Sequence, residues 1–144
     1  MEYGATSSDE ITATPVIVLW DQILMLPIVG TVDSTRGQEM MATMLAKIQE
    51  TEAKIIILDI LGVATVDSGV ASHLIKISKA TTLMGADCII SGISPEIAQT
   101  LVQLGVELGE VATRSTLRDA LEIAFDKLSL EVRQKGQVPA LKRA

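Results

Sequence analysis

Short apolar runs alternate along the chain with longer amphipathic segments, and this alternation restricts the possible folds more than any other feature. The runs consist mainly of Ile, Leu, Val and Met and are bounded by polar or turn-forming residues. Such runs are typical of strands in a sheet that is buried on both faces. We predict strands over residues 16–20, 23–30, 54–59, 88–90 and 111–113, with the first two joined as a hairpin through Asp21 and Gln22.

Helical periodicity fills the intervals between these strands. Met40, Met44 and Ile48 recur at the spacing of one helical turn, and Met41 and Leu45 widen the same stripe. A side chain that can cap a helix precedes each periodic segment, as expected for helix N-termini. The predicted helix starts are Asp33 to Thr35, Asp67 and Ser68, Ser94 with Pro95, and Ser115 or Thr116.

The resulting order is strand, strand, helix, strand, helix, strand, helix, strand, helix. Strands that alternate with helices form right-handed crossovers, and hence a mainly parallel sheet with helices on its faces. The predicted fold class is therefore α/β, with a mixed, mostly parallel sheet that opens with a hairpin and is covered by about four helices. We expect one domain over residues 15–130, preceded by a flexible tail over 1–14 and followed by a flexible, basic tail over 131–144.

Charge and composition argue against several binding functions. The 18 acidic and 12 basic residues give a net charge of −6, which repels nucleic-acid phosphate, and few aromatic rings are available for stacking on bases. A single cysteine excludes an internal disulfide. No apolar run approaches the roughly 18 residues that span a membrane, and the polar N-terminus does not resemble a signal peptide. We expect a cytoplasmic protein that binds neither nucleic acid nor membrane.

Catalytic chemistry finds little support in the sequence. A serine hydrolase needs a base beside its nucleophile, but His73, the one histidine, lies on a different helix face from Ser68. Glycine-rich fingerprints for ATP or dinucleotides are absent. We interpret His73 as a partly exposed helix residue and Cys88 as an inert core thiol. The carboxylates that could reach Mg²⁺ at strand ends are Asp33, Asp59 and Asp67. Because no further ligand is identifiable, we expect neither enzyme activity nor a cofactor or metal.

The tetrapeptide Thr-Val-Asp-Ser occurs twice, ending at Ser34 and at Ser68. Each copy follows a predicted strand and starts a predicted helix. One interpretation is helix capping, since Asp or Ser at a helix start accepts a hydrogen bond from an otherwise unpaired backbone amide. The other interpretation is regulatory phosphorylation of Ser34 and Ser68. A phosphate there would meet the positive end of the helix dipole and stand beside Asp33 or Asp67.

Two longer segments carry a resemblance to a known family. Residues 59–68 read Asp-Ile-Leu-Gly-Val-Ala-Thr-Val-Asp-Ser, and residues 91–105 contain Gly-Ile-Ser-Pro-Glu-Ile-Ala-Gln-Thr. Together with the order of elements, they resemble STAS domains, the sulfate-transporter and anti-sigma-factor-antagonist family, over about residues 15–128. The second segment is similar to the RsbR type, which forms the scaffold of the stressosome.

This resemblance implies a function without catalysis. It implies phosphorylation at Ser68 and, as in RsbR-type domains, at Ser34, with Asp67 and Asp33 as supporting acidic residues. The implied partners are an RsbS-like STAS protein and an RsbT-like serine/threonine kinase, in a homodimer and a large hetero-oligomer. The alternative is a simple anti-sigma-factor antagonist, similar to RsbS or SpoIIAA, that binds an anti-sigma kinase directly and is regulated at Ser68. RsbR chains usually have threonine at both sites, whereas this chain has serine.

Overall fold

The computed structural model describes residues 15–109 and 111–138. Within these ranges the predicted order of strands and helices is confirmed. The predicted tail over residues 1–14 and the end of the predicted C-terminal tail, residues 139–144, lie outside the described residues. The elements are β1 Ile17–Trp20, β2 Ile23–Gly30, α1 Ser34–Thr51, β3 Ile55–Val63, α2 Ser68–Leu83, β4 Asp87–Ser91, α3 Pro95–Gln103, β5 Ala112–Thr113 and α4 Leu117–Lys127.

The strands of the described chain form one sheet in the order β1-β2-β3-β4-β5. β1 is antiparallel to β2 and the other pairs are parallel, so the predicted mixed sheet and its opening hairpin are confirmed. Gln22 turns the hairpin with a φ of 67°. Its carbonyl accepts hydrogen bonds from the amides of Lys54 and Ile55 at 2.9 and 3.0 Å. The turn therefore holds the start of β3 beside the start of β2.

Helices cover both faces of the sheet, because alternate strand residues point to opposite sides. α1, α2 and α3 pack on one face, and α4 packs on the other. Burial of these aliphatic side chains is the main favourable term for folding. The larger core joins Leu26, Leu58 and Ile90 of the strands to Met44, Leu74 and Leu101 of the helices. The smaller core joins Ile23, Ile57 and Ile89 to Ala120 and Ala124 of α4.

β3 continues to Val63, whereas the sequence predicts an end at Asp59. The polar side chain of Asp59 does not interrupt the strand, because its carboxylate accepts a hydrogen bond of 2.7 Å from the Ser91 hydroxyl on the neighbouring strand. Asp59 and Ser91 are partners in the β3–β4 register. A contact between residues so far apart in sequence has no local signal, and this is why the predicted boundary was too early.

α1 and α2 approach each other closely at Gly37. A Cβ placed on this glycine would lie 2.4 Å from Nδ1 of His73 in α2, so a larger residue here would have to displace the imidazole ring. His73 is half-buried in this contact, and its interpretation as a partly exposed helix residue is confirmed. The glycine lies in the first turns of α1, close to Ser34, and it therefore helps to fix that helix start against α2.

Cys88 lies in β4 and is buried, as the interpretation of a core thiol requires. Burial raises the pKa of the thiol to about 12, an effect that hydrogen bonds with Ser78 and Thr81 only partly offset. The thiolate is the nucleophilic form of cysteine. At neutral pH the side chain is therefore protonated and unreactive.

Candidate functional site

The two Thr-Val-Asp-Ser segments leave the sheet side by side. β2 and β3 are adjacent and parallel, and their last residues, Gly30 and Val63, are partners in the register. The amide of Ala64 donates a hydrogen bond of 3.1 Å to the Gly30 carbonyl, so the two loops are joined where they begin. Ser34 and Ser68 consequently lie at the same edge of the sheet, at the carboxyl ends of its parallel strands.

Each segment alternates between anchored and exposed residues. The valine enters the core, since Val66 is buried and Val32 packs against the same cluster. The aspartate that follows is exposed and forms the N-cap of the helix. Oδ1 of Asp33 accepts the amide of Arg36 at 2.8 Å, and Oδ1 of Asp67 accepts the amide of Val70 at 2.9 Å. The repeated sequence therefore produces the same local structure twice.

The serines occupy the first helical position after each cap, and both are exposed. Capping thus belongs to Asp33 and Asp67, and the interpretation in which a serine hydroxyl caps the helix is wrong. The physical reason is position. A side chain directly before the first helical residue can accept the amide two or three residues onward. The aspartates occupy that position, whereas the serines are already the first residues of the helices. Both hydroxyls remain available to solvent at the positive end of a helix dipole.

Arg36 distinguishes the first segment from the second. Its Nη1 donates hydrogen bonds of 2.5 and 2.6 Å to the carbonyls of Val29 and Thr31, which ties the loop to the end of β2. The corresponding position in the second segment is Val70, whose side chain cannot donate such hydrogen bonds to its loop. Our sequence reasoning missed Arg36. The available signal was a cation in the first turn of a helix, where the dipole disfavours positive charge.

The cap assignment predicts a difference between neighbouring residues. We expect Asp67→Ala to lower the free energy of unfolding by about 1 kcal/mol, since it leaves the Val70 amide without its partner. Ser68→Ala should change it by less than about 0.5 kcal/mol, as for other exposed positions. Asp67→Asn is the matched control, because asparagine caps as well as aspartate. Urea denaturation checks all three variants. A Ser68→Ala variant as destabilised as Asp67→Ala would contradict the assignment.

Comparison with known proteins places this geometry in a family. Residues 14–120 match the family described as the STAS domain. The chain belongs to the STAS domain family. The α/β sheet with four helices within the described residues is the STAS fold that we predicted. Along this STAS domain, no helix of the described ranges is long and apolar enough to cross a membrane.

Three comparisons show which members of the family this STAS domain is similar to. The RsbT co-antagonist protein RsbRA of Bacillus subtilis (strain 168) is 36% identical over 125 residues, which cover 87% of this chain and 46% of RsbRA. A variant of RsbS from Moorella thermoacetica, with serine replaced by glutamate, superimposes with a TM-score of 0.70 at 26% identity and covers 81% of this chain and 98% of its own. A chain of the stressosome structure superimposes with a TM-score of 0.61 at 28% identity, covering 80% and 96%. The STAS domain spans less than half the length of RsbRA.

Proposed function

We propose that this STAS domain is a non-enzymatic, phosphorylatable scaffold of bacterial stress signalling. It assembles with RsbS-like STAS proteins and holds an RsbT-like serine/threonine kinase, which phosphorylation of Ser68 and Ser34 releases. The similarity to a protein named RsbT co-antagonist supports the kinase class. The similarity to RsbS and to a stressosome chain supports the assembly partners.

The pairing of two exposed serines on adjacent strand ends carries this proposal. The hydrogen bond from Ala64 to Gly30 joins the loops that precede them. A kinase that transfers phosphate to either hydroxyl must cover this edge of the sheet, and it then lies beside the other. Phosphorylation at either serine can therefore change the affinity of one bound kinase. A chain with a single exposed serine would have only one such site.

Electrostatics supports release rather than recruitment by phosphate. Each phosphate adds about −1.5 to −2 charges at neutral pH. It would stand next to Asp33 or Asp67 on a chain whose net charge is already −6. The helix dipole lets the domain accept the phosphate without unfolding. A partner that buries this edge would have to remove the new charges from water, and such burial of unpaired charge is strongly unfavourable.

We predict that Ser34→Asp/Ser68→Asp weakens kinase binding by about tenfold or more while assembly with an RsbS-like protein persists. Kinase capture by preformed assemblies measures the first effect, and gel filtration measures the second. Gln49→Glu/Gln103→Glu is the matched control, because it adds the same charge at exposed positions in the last turns of α1 and α3. Aspartates that dissolve the assembly and leave kinase affinity unchanged would contradict the proposal. A small complex regulated at Ser68 alone would favour the simple antagonist.

A further inference from the structure

Two large apolar side chains project into solvent near the edge of the sheet that carries Ser34 and Ser68. Val29 near the end of β2 is 62% exposed, and Leu61 near the end of β3 is 73% exposed. Both lie beyond the part of the sheet that α4 covers, because the buried residues of the α4 core end at Ile57 along β3. We call Val29 and Leu61 the apolar pair. Exposed apolar side chains that stand together next to a functional site are typical of interaction surfaces.

A β-bulge lies at Leu61. Pro27 pairs with Asp59 and Val29 pairs with Gly62, so β3 carries one residue more than β2 in this interval. Ile60 remains fully buried in the larger core, which makes Leu61 the additional residue. Bulges occur frequently beside functional sites, where they redirect a side chain. Leu61 therefore projects from a paired strand and not from a loose loop.

Two glycines make room for this bulge. A Cβ on Gly92 would lie 2.4 Å from the Leu61 backbone nitrogen, and Gly92 has a φ of +81° that side chains disfavour. A Cβ on Gly62 would lie 3.0 Å from Cγ2 of Val29. Each glycine thus permits the close approach of one member of the apolar pair. The hydrogen bond between Asp59 and Ser91 holds β3 and β4 together directly before the bulge.

The apolar pair is continuous with the first phosphorylation site. Arg36 binds the Val29 carbonyl, so Val29 lies directly below the loop that carries Ser34. Val29 also lines a surface depression of about 460 Å³ together with Asp33, Arg36 and Glu39. A protein that reaches Ser34 consequently meets the Val29 side chain within the same footprint.

The surrounding charges favour one kind of occupant. Carboxylates of Asp33, Asp59 and Asp67 lie at this edge, and the Arg36 guanidinium is occupied with backbone carbonyls. A second copy of the same surface would bring like charges together, which is unfavourable at an interface. A different protein with an apolar socket is complementary to the pair and does not bring a second set of these carboxylates to the edge.

We infer that the apolar pair is the anchor by which the kinase of the proposed function docks on this edge. The inference rests on the proposed function, since only a partner that phosphorylates Ser34 and Ser68 is required to cover this surface. It adds the residues that hold the kinase and the chemistry of its contact surface.

The test compares Val29→Thr/Leu61→Thr with Leu83→Thr/Val102→Thr. The control positions are 88% and 80% exposed and lie in the last turns of α2 and α3. Binding of an RsbT-like kinase is titrated without ATP, and phosphorylation of both serines is then measured with ATP and Mg²⁺. We expect the first variant to bind about tenfold more weakly, with a matching rise in KM, and the control to behave as wild type. Urea denaturation and gel filtration of each variant accompany the titration.

The outcomes separate this inference from the proposal on which it rests. A kinase that binds and phosphorylates wild type and the Val29→Thr/Leu61→Thr variant alike overturns the anchor and leaves the scaffold function intact. A kinase that neither binds nor phosphorylates wild type overturns the function and the anchor together. A variant that keeps its kinase affinity but loses self-association assigns the apolar pair to a contact between copies of this chain, and this also overturns the inference.

Discussion

Intact-mass measurement is expected to find no added phosphate on the Ser34→Ala/Ser68→Ala variant after incubation with an RsbT-like kinase, ATP and Mg²⁺. Wild type should take up two phosphates and each single variant one, because both hydroxyls are exposed at equivalent helix starts. The loss is complete in the double variant since no acceptor oxygen remains in either Thr-Val-Asp-Ser segment.

Ser115→Ala is the matched control for this experiment. Ser115 is exposed and directly precedes the Thr116 cap of α4, so it also lies where a strand end meets a helix start. It stands outside the repeated segment, and we expect its replacement to leave phosphate uptake unchanged. Uptake by the double variant equal to that of wild type would show that both assignments are wrong. Uptake lost in Ser68→Ala alone would indicate the simpler antagonist with one site.

The largest expected change in stability comes from Gly92→Ala. We expect it to lower the free energy of unfolding by about 2–5 kcal/mol, as the sum of left-handed backbone strain and overpacking. The added methyl group would meet backbone atoms of Leu61, the nearest at 2.4 Å, and backbone cannot move aside as a side chain can. Urea denaturation of the full chain measures the effect.

Gly85→Ala separates the two contributions to that loss. Gly85 has a φ of +85°, close to that of Gly92, but nothing lies within 4 Å of an added Cβ. Its replacement should therefore show only the backbone strain, about 1–2 kcal/mol. Equal losses of stability in Gly85→Ala and Gly92→Ala would mean that the backbone at Leu61 shifts to accommodate a methyl group. The close approach of Gly92 to Leu61 would then contribute nothing to stability.

Much of this fold is predictable from local sequence signals. The aliphatic runs locate the strands, and the capping residues locate the helix starts, because both signals act over a few neighbouring residues. The same holds for the site, since the repeated tetrapeptide and the parallel order of β2 and β3 suffice to place Ser34 and Ser68 at one edge. Sequence alone leaves Asp and Ser as alternative caps, and only the backbone geometry distinguishes them.

The features that escaped prediction depend on contacts between distant segments. β3 extends through Asp59 because Ser91, on another strand, accommodates its carboxylate. The additional residue of β3 at Leu61 is visible only in the register against β2, and no pattern within β3 encodes it. Arg36 acts on carbonyls of the preceding strand and loop, and its role becomes visible only when α1 is placed beside β2. Each of these residues lies on the half of the sheet toward the carboxyl ends of its parallel strands.

The hydrogen bond between Ala64 and Gly30 has a consequence for how a signal would be encoded. Since it joins the two loops where they leave the sheet, the separation of the two serines is set by strand pairing and not by a variable linker. Phosphorylation of none, one or both would then give surfaces of one shape that differ in charge. In an assembly of many copies, the amount of kinase retained would fall stepwise as the total number of phosphates rises. The response of the assembly would therefore be graded rather than all-or-none.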